Sequence, residues 1–197
     1  LHAFVKDVYL PACRKEIGAS SLKDGVEYYQ FAIRDLTTTN LTPSEIHDIG
    51  KREVSRIHTQ MQELIRRVEF HGSFPEFLQF LRTDPGFYYT KPEDLVTGYS
   101  AISKRMDAEL PKLFAELPRT PYGVREIPDY EAPAQTTAYY LPGAADGSRA
   151  GFFYVNTFKL ETRPKYEMEA LSLHEAVPGH HLQIARAQEL RDLPDFR

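Results

Sequence analysis

The sequence has one cysteine, no tryptophan, no long apolar run and no excess of positive charge. Cys13 alone cannot form an internal disulfide, so the fold owes nothing to an oxidising compartment, which leaves both a bacterial cytoplasm and a cell-envelope or secreted location open. No stretch approaches the roughly 18 apolar residues that a membrane span needs. The 24 basic and 28 acidic residues are mixed along the chain and leave a net charge of −4. No positive field therefore draws the molecule to phosphate backbones, and nucleic acid is not expected as a partner. Residues 1–7 lack the basic start and the apolar centre of a signal peptide, and no repeat of fixed period is visible.

What the sequence does have is apolar material for a substantial core: 42% of 197 residues, with 12 Tyr and 12 Phe. We read a soluble, mainly α unit with a small β-hairpin. A helical region is expected over residues 1–118, and residues 119–197 are expected to add the hairpin and a further helix to the same globular unit. The first residues read as the middle of a longer protein and residues 191–197 end on a polar stretch, so further chain is expected after 197.

Helix boundaries are written into the first region. Thr42-Pro43-Ser44-Glu45 is a capping box, with Pro43 in the first helical position where no amide partner is needed. Ile46, Ile49, Ile57, Met61, Leu64, Ile65 and Val68 follow at helical spacing, predicting a core-facing stripe that Gly72 ends. The same start signal recurs at Ser73-Phe74-Pro75-Glu76 and at Thr90-Lys91-Pro92-Glu93, the second opening a longer helix that Pro111 should kink or end. Residues 26–36 form another helical candidate, and residues 1–17 a weaker one interrupted at Pro11. After Pro118 the prolines multiply and the chain reads as extended. Residues 136–141 and 151–156 are β-prone and flank a turn-rich loop, which predicts a hairpin. From Pro164 to Leu190 the pattern is helical again, broken at Pro178-Gly179.

Three of the seven histidines fall on this last helix within eight residues, in His174-Glu175-Ala176-Val177-Pro178-Gly179-His180-His181. In zinc hydrolases, His-Glu-x-x-His sets two imidazoles one turn apart on one ion, with the glutamate as general base. Here the fifth position is Pro178. Six or seven residues on a regular helix separate side chains by roughly 9 to 10 Å, too far for two ligands each about 2 Å from one ion. The helix must therefore be bulged or broken, and Pro178-Gly179 supplies the means, because proline removes an amide and glycine relaxes the backbone. Two inserted residues bring His180 to the position of the usual second ligand. His181 needs three, so His180 is preferred, with His181 behind the metal or facing substrate.

Residues 166–183, together with Gly151-Phe152-Phe153-Tyr154-Val155-Asn156 and Leu41-Thr42-Pro43-Ser44-Glu45-Ile46-His47, resemble the bacterial domain of unknown function 885 family. The resemblance implies a multi-helix, zincin-like domain, similar in outline to carboxypeptidase Taq and to oligopeptidases with Gly-His in their metal helix. Dipeptidyl peptidase III, with one extra residue in its motif, is a precedent for the spacing. Carried over, His174 is a first ligand, Glu175 the general base and His180 a second ligand. The third ligand of such sites is a glutamate on a later helix, and the family's downstream Glu-Gly-Trp-Ala-like segment has no counterpart in a chain without tryptophan. Glu189 lies roughly 20 Å from His174 along a helix and cannot stand in.

The expected function is therefore part of a zinc-dependent peptidase acting on a peptide or small amide, with the third ligand outside these residues and no turnover by the 197 residues alone. In zincins an edge strand beside the metal helix pairs with extended substrate, a part that the strand over residues 151–156 could play, with Asn156 fixing a substrate carbonyl or closing the strand. The rival is a non-catalytic helical domain that binds a peptide or partner, in which the His-Glu cluster is structural or vestigial. Hydrolysis of a non-peptide amide or ester is a third option.

Overall fold

The computed structural model describes residues 1–190, so the last seven residues of the expected unit 119–197 lie outside the described residues. By backbone contacts the chain divides into Leu1–Phe74 and Pro75–Arg197.

In the first unit, helix α1 (His2–Phe4), a π-helical turn (Val5–Tyr9) and α2 (Leu10–Ala12) run on without interruption and stop just past Pro11. Helix α3 (Gly25–Thr37) ends on Thr38 at φ 56°, whose N–H donates to the Arg34 carbonyl. Helix α4 (Pro43–Arg67) opens on the expected capping box. The Glu45 N–H donates to the Thr42 hydroxyl at 3.2 Å, and the Thr42 N–H donates to the Glu45 carboxylate at 2.8 Å.

Two expectations for α4 need correction. The helix stops at Arg67, short of Gly72: Glu69 itself takes the left-handed conformation at φ 54°. Its N–H then reaches the Arg66 carbonyl, and the Phe70 N–H the Ile65 carbonyl, which is a Schellman ending with glutamate in the place glycine usually takes. The apolar stripe, in turn, is not core-facing. Only Ile65 is buried, whereas Ile49, Ile57, Leu64 and Val68 are exposed. Periodicity sets which side chains share a face, and a face is covered only if something packs on it.

Helix α5 (Phe74–Thr83) begins on the last residue of the first unit and otherwise belongs to the second, where α6 (Pro92–Glu109) follows. The capping box expected at Thr90 does not form, because α6 is capped at Lys91 without a side-chain bond. Proline fits the first helical position, and Pro92 in that position moves the cap one residue past the threonine. A 3₁₀ turn (Leu110–Lys112) containing Pro111 ends the helix, as expected.

The hairpin forms: β2 (Ala138–Leu141) pairs antiparallel with β3 (Gly151–Val155). A further strand, β1 (Tyr122–Glu126), runs parallel to β3 in the segment that the sequence shows only as extended chain. The order is β1-β3-β2, so β3 is central. Its alternate residues Phe153 and Val155 are fully buried against Leu95 and Tyr99 of α6, Ala138 of β2, and Met168 of helix α7 (Met168–Glu175). Tyr99 meets Phe153 edge-on at 5.2 Å. On the opposite face Tyr139 stacks on Tyr154 at 5.1 Å, and the Arg125 guanidinium covers Phe152 at 3.6 Å. Helix α8 (His180–Glu189) completes a mostly helical chain with a small three-stranded sheet. No helix among the described residues is long and apolar enough to cross a membrane.

Candidate metal centre

Helix α7 ends at Glu175, ahead of the interruption expected at Pro178-Gly179. The Ala176 N–H still reaches the Ser172 carbonyl at 2.9 Å, but Ala176 then leaves the helix at φ −97°, ψ −100°. Ala176 and Val177 turn inward, 0% and 1% exposed, the first into the core beneath α6 and the sheet and the second against Leu110 and Leu182. These two anchors pin the connection. The chain re-enters a helix at His180, closed by His181 N–H to the Ala176 carbonyl at 3.1 Å and Gln183 N–H to the Gly179 carbonyl at 3.0 Å. The expected bulge is thus a complete break between two helices. Gly179 serves it through lack of a side chain, since a Cβ there would overlap the backbone carbonyl groups of His174 and Leu173.

That close approach folds six residues of sequence separation into a contact. The His174 and His180 rings meet edge-on with centroids 4.7 Å apart and planes at 85°. Ligand atoms of His174, Glu175 and His180 all lie within 4.8 Å of one another, and His180 Nε2 stands 4.0 Å from Glu175 Oε2. Burial is graded: His174 is exposed, His180 half-buried and Glu175 only 7% exposed. Two imidazoles and a carboxylate are a donor set that zinc accepts, and nitrogens on a tetrahedral ion sit roughly 3.3 Å apart. Side-chain rotation alone could close the difference, so these residues fit the ion. Among the described residues, no further His, Cys, Asp or Glu joins this group.

The cluster lies between two clefts, and His174 lines both. One, of about 670 Å³, runs along the break past Pro178, Gly179 and Gln183. The other, of about 470 Å³, separates α7 from the start of β2 and is bordered by Thr136, Thr137, Ala138, Glu167, Leu171 and Glu175.

His181, expected behind the metal or facing substrate, and Asn156, expected to fix a substrate carbonyl or close the strand, are both turned into the protein. His181 is 2% exposed. Its Nδ1 shares a hydrogen bond of 2.8 Å with the Tyr140 hydroxyl, and its ring packs on Tyr122 at 4.5 Å. Burial pushes its pKa down, against the Asp107 charge and a hydrogen bond to the Thr120 backbone. Tyr122 in turn donates to Asp107 at 2.9 Å, and burial followed by that bond pushes its phenol well above the ordinary range. His181 thus braces the first turn of α8 from behind. Asn156 is 1% exposed, and its amide donates to the carbonyls of Ala132, Thr136 and Gln135 at 2.8, 3.0 and 3.3 Å while its Oδ1 accepts from the Phe158 N–H at 2.9 Å. It fastens the segment leading into β2 and has no group left for a ligand.

The strand expected to offer a free edge also changes. Residues 151–156 supply the central β3, paired on both sides, so the edge strand near α7 is β2. Of the tyrosines, Tyr140 is engaged by His181, and Tyr139 and Tyr154 stack on the sheet face away from α7. Glu169 pairs with Arg105 at 2.8 Å, and Glu189 accepts from the Arg119 N–H and from Arg186, each at 2.6 Å. By sequence Glu167 and Glu169 read as solvated helix residues ahead of the motif; the structure sets Glu167 on the border of the β2 cleft, which the sequence does not show. The signal for the helical wall alone was present, since Glu167, Ala170, Leu171, His174 and Glu175 repeat at helical spacing along one face.

Comparison with known proteins agrees with the motif. The family model described as "Bacterial protein of unknown function (DUF885)" matches residues 1–197. A solved structure described as "the putative lipoprotein from Colwellia psychrerythraea" is similar over 91% of this chain, at 30% identity and a TM-score of 0.82. The chain spans 32% of that protein's length. No curated protein matches.

Proposed function

The chain belongs to the DUF885 family of bacterial proteins, and from that premise we propose that it carries part of a zinc-dependent peptidase site of zincin-like type, with His174 and His180 as ligands and Glu175 as general base. The observation that carries this reading is the gathering of His174, Glu175 and His180 within 4.8 Å across a broken helix. Ala176 and Val177 anchor the break, and Gly179 admits the close approach.

Zinc at such a site supplies Lewis acidity and brings the pKa of a water to about 7. The two imidazoles would hold the ion as neutral ligands, with the contacts behind α8 keeping His180 in place. Glu175 opens onto the β2 cleft, where its carboxylate can take a proton from the attacking water and return it to the leaving amine. The free edge of β2 offers main-chain groups to an extended peptide. A third protein ligand comes from outside the described residues. The likeness to a lipoprotein-described structure is compatible with a place in the cell envelope.

The test is zinc content and peptide hydrolysis of the intact protein. About one zinc per chain is expected, and Glu175→Gln should retain it while losing hydrolysis by at least 100-fold. A protein that never holds metal would sink the reading. One observation favours the rival, a binding domain with a vestigial cluster: only three candidate donors gather among the described residues, and one of them is the proposed base. On that reading Glu175→Gln changes no function and His174→Ala changes only stability.

A further inference from the structure

The β2 cleft has a charge that the proposed chemistry does not use. Its helical wall is the stripe of Glu167, Ala170, Leu171, His174 and Glu175, and its opposite wall is the chain from Thr136 to Ala138. The Glu167 carboxylate makes no ion pair or hydrogen bond among the described residues, although its backbone N–H donates to the Pro164 carbonyl at 3.2 Å and its neighbours are engaged. Glu169 is held by Arg105, and Arg163 donates to the Asn156 carbonyl at 3.3 Å and the Thr137 hydroxyl at 3.1 Å. One end of the cleft is therefore a free carboxylate, and the other is His174 with Glu175.

The opposite wall suits an extended ligand. The Asn156 N–H donates to the Thr137 carbonyl at 3.0 Å, which makes these two the bonded pair next to the ladder. Bonding alternates along an antiparallel pair, so the main-chain groups of Ala138 and Tyr140 point away from β3. Seven residues of helix from Glu167 to His174 span about 10 Å. An extended peptide rises about 3.3 Å per residue, so the same distance covers about three residues.

We propose that Glu167 is a specificity-determining residue: its carboxylate receives a positively charged group of an extended peptide about three residues from the bond attacked beside Glu175. The inference rests on the peptidase reading for the position of that bond. The charged group is an ammonium or guanidinium, supplied by a free amino terminus or by a lysine or arginine side chain.

Binding can be measured apart from turnover in the zinc-loaded intact protein carrying Glu175→Gln. The probes are three alanine-rich peptide series: blocked and neutral, blocked with one lysine stepped along the chain, and neutral with a free amino terminus. By calorimetry one charged series should bind about five- to tenfold more tightly than the neutral one, and which series gains identifies the source of the charge. Adding Glu167→Gln should erase the difference, and Glu167→Lys should transfer the preference to peptides carrying glutamate. Equal affinity for all three series, or a preference that survives Glu167→Gln, overturns the proposal. Charge-selective binding through Glu167 without hydrolysis by the Glu175 protein would uphold it and count against the peptidase reading. Hydrolysis indifferent to Glu167 would do the reverse.

Discussion

A methyl group at position 179 would occupy the space of the His174 carbonyl, and this single steric fact governs whether the two imidazoles meet. Gly179→Ala should push α8 away from α7 and weaken zinc binding by about 100-fold, the upper range for losing a ligand's support. Competition against a zinc indicator would check this, and retention of full affinity would show that the break tolerates a side chain. The residue types of the site were legible in the sequence because His, Glu, Pro and Gly in that order have few other uses. Their directions were not. His181 and Asn156 have the same functional groups whether they face a cleft or a core, and only the Tyr140 hydroxyl and the three carbonyls around Asn156 show that both face inward.

Two nearly identical start signals separate at the scale of the element. Thr42 caps α4 with both reciprocal bonds, whereas Thr90 stands one residue outside α6 and caps nothing. Thr42→Ala should therefore cost about 1 kcal/mol, and Thr90→Ala less than about 0.5 kcal/mol, in urea unfolding. The cap also depends on pH. Hydrogen bonds from the Thr42 backbone and then its hydroxyl hold the Glu45 carboxyl below its usual 4.5. A carboxyl lowered in the folded state adds stability above its unfolded pKa and loses it as pH falls through the folded value. The gap between wild type and Thr42→Ala should be full at neutral pH and narrow below 4.5. A gap that widens on acidification would contradict the cap geometry. The difference between the two signals lies in proline spacing: Pro43 follows its threonine directly, and Pro92 does not.

For the whole molecule, the apolar stripe of α4 is the largest departure from expectation. Leu64 of that stripe is 50% exposed, and Val54, a further apolar residue of the same helix, is 69% exposed. The 197-residue chain should accordingly bind a hydrophobic dye in native buffer. Val54→Glu with Leu64→Glu should cut that signal by about half and change stability by less than about 0.5 kcal/mol per site. An unchanged signal would place the dye elsewhere. The amino-acid sequence by itself determined the capped start of α4, the hairpin, the family motif and the necessity of a bulge or break between His174 and His180, because all of these follow from local backbone chemistry and from spacings within a few turns. The tertiary structure alone decided, among the described residues, that β3 is central, that β2 keeps a free edge, that the apolar stripe of α4 is mostly exposed, and that Glu167 shares a cleft with Glu175. Each of these depends on which distant segment packs against which, and burial carries no direction along the chain from which local pattern could read it.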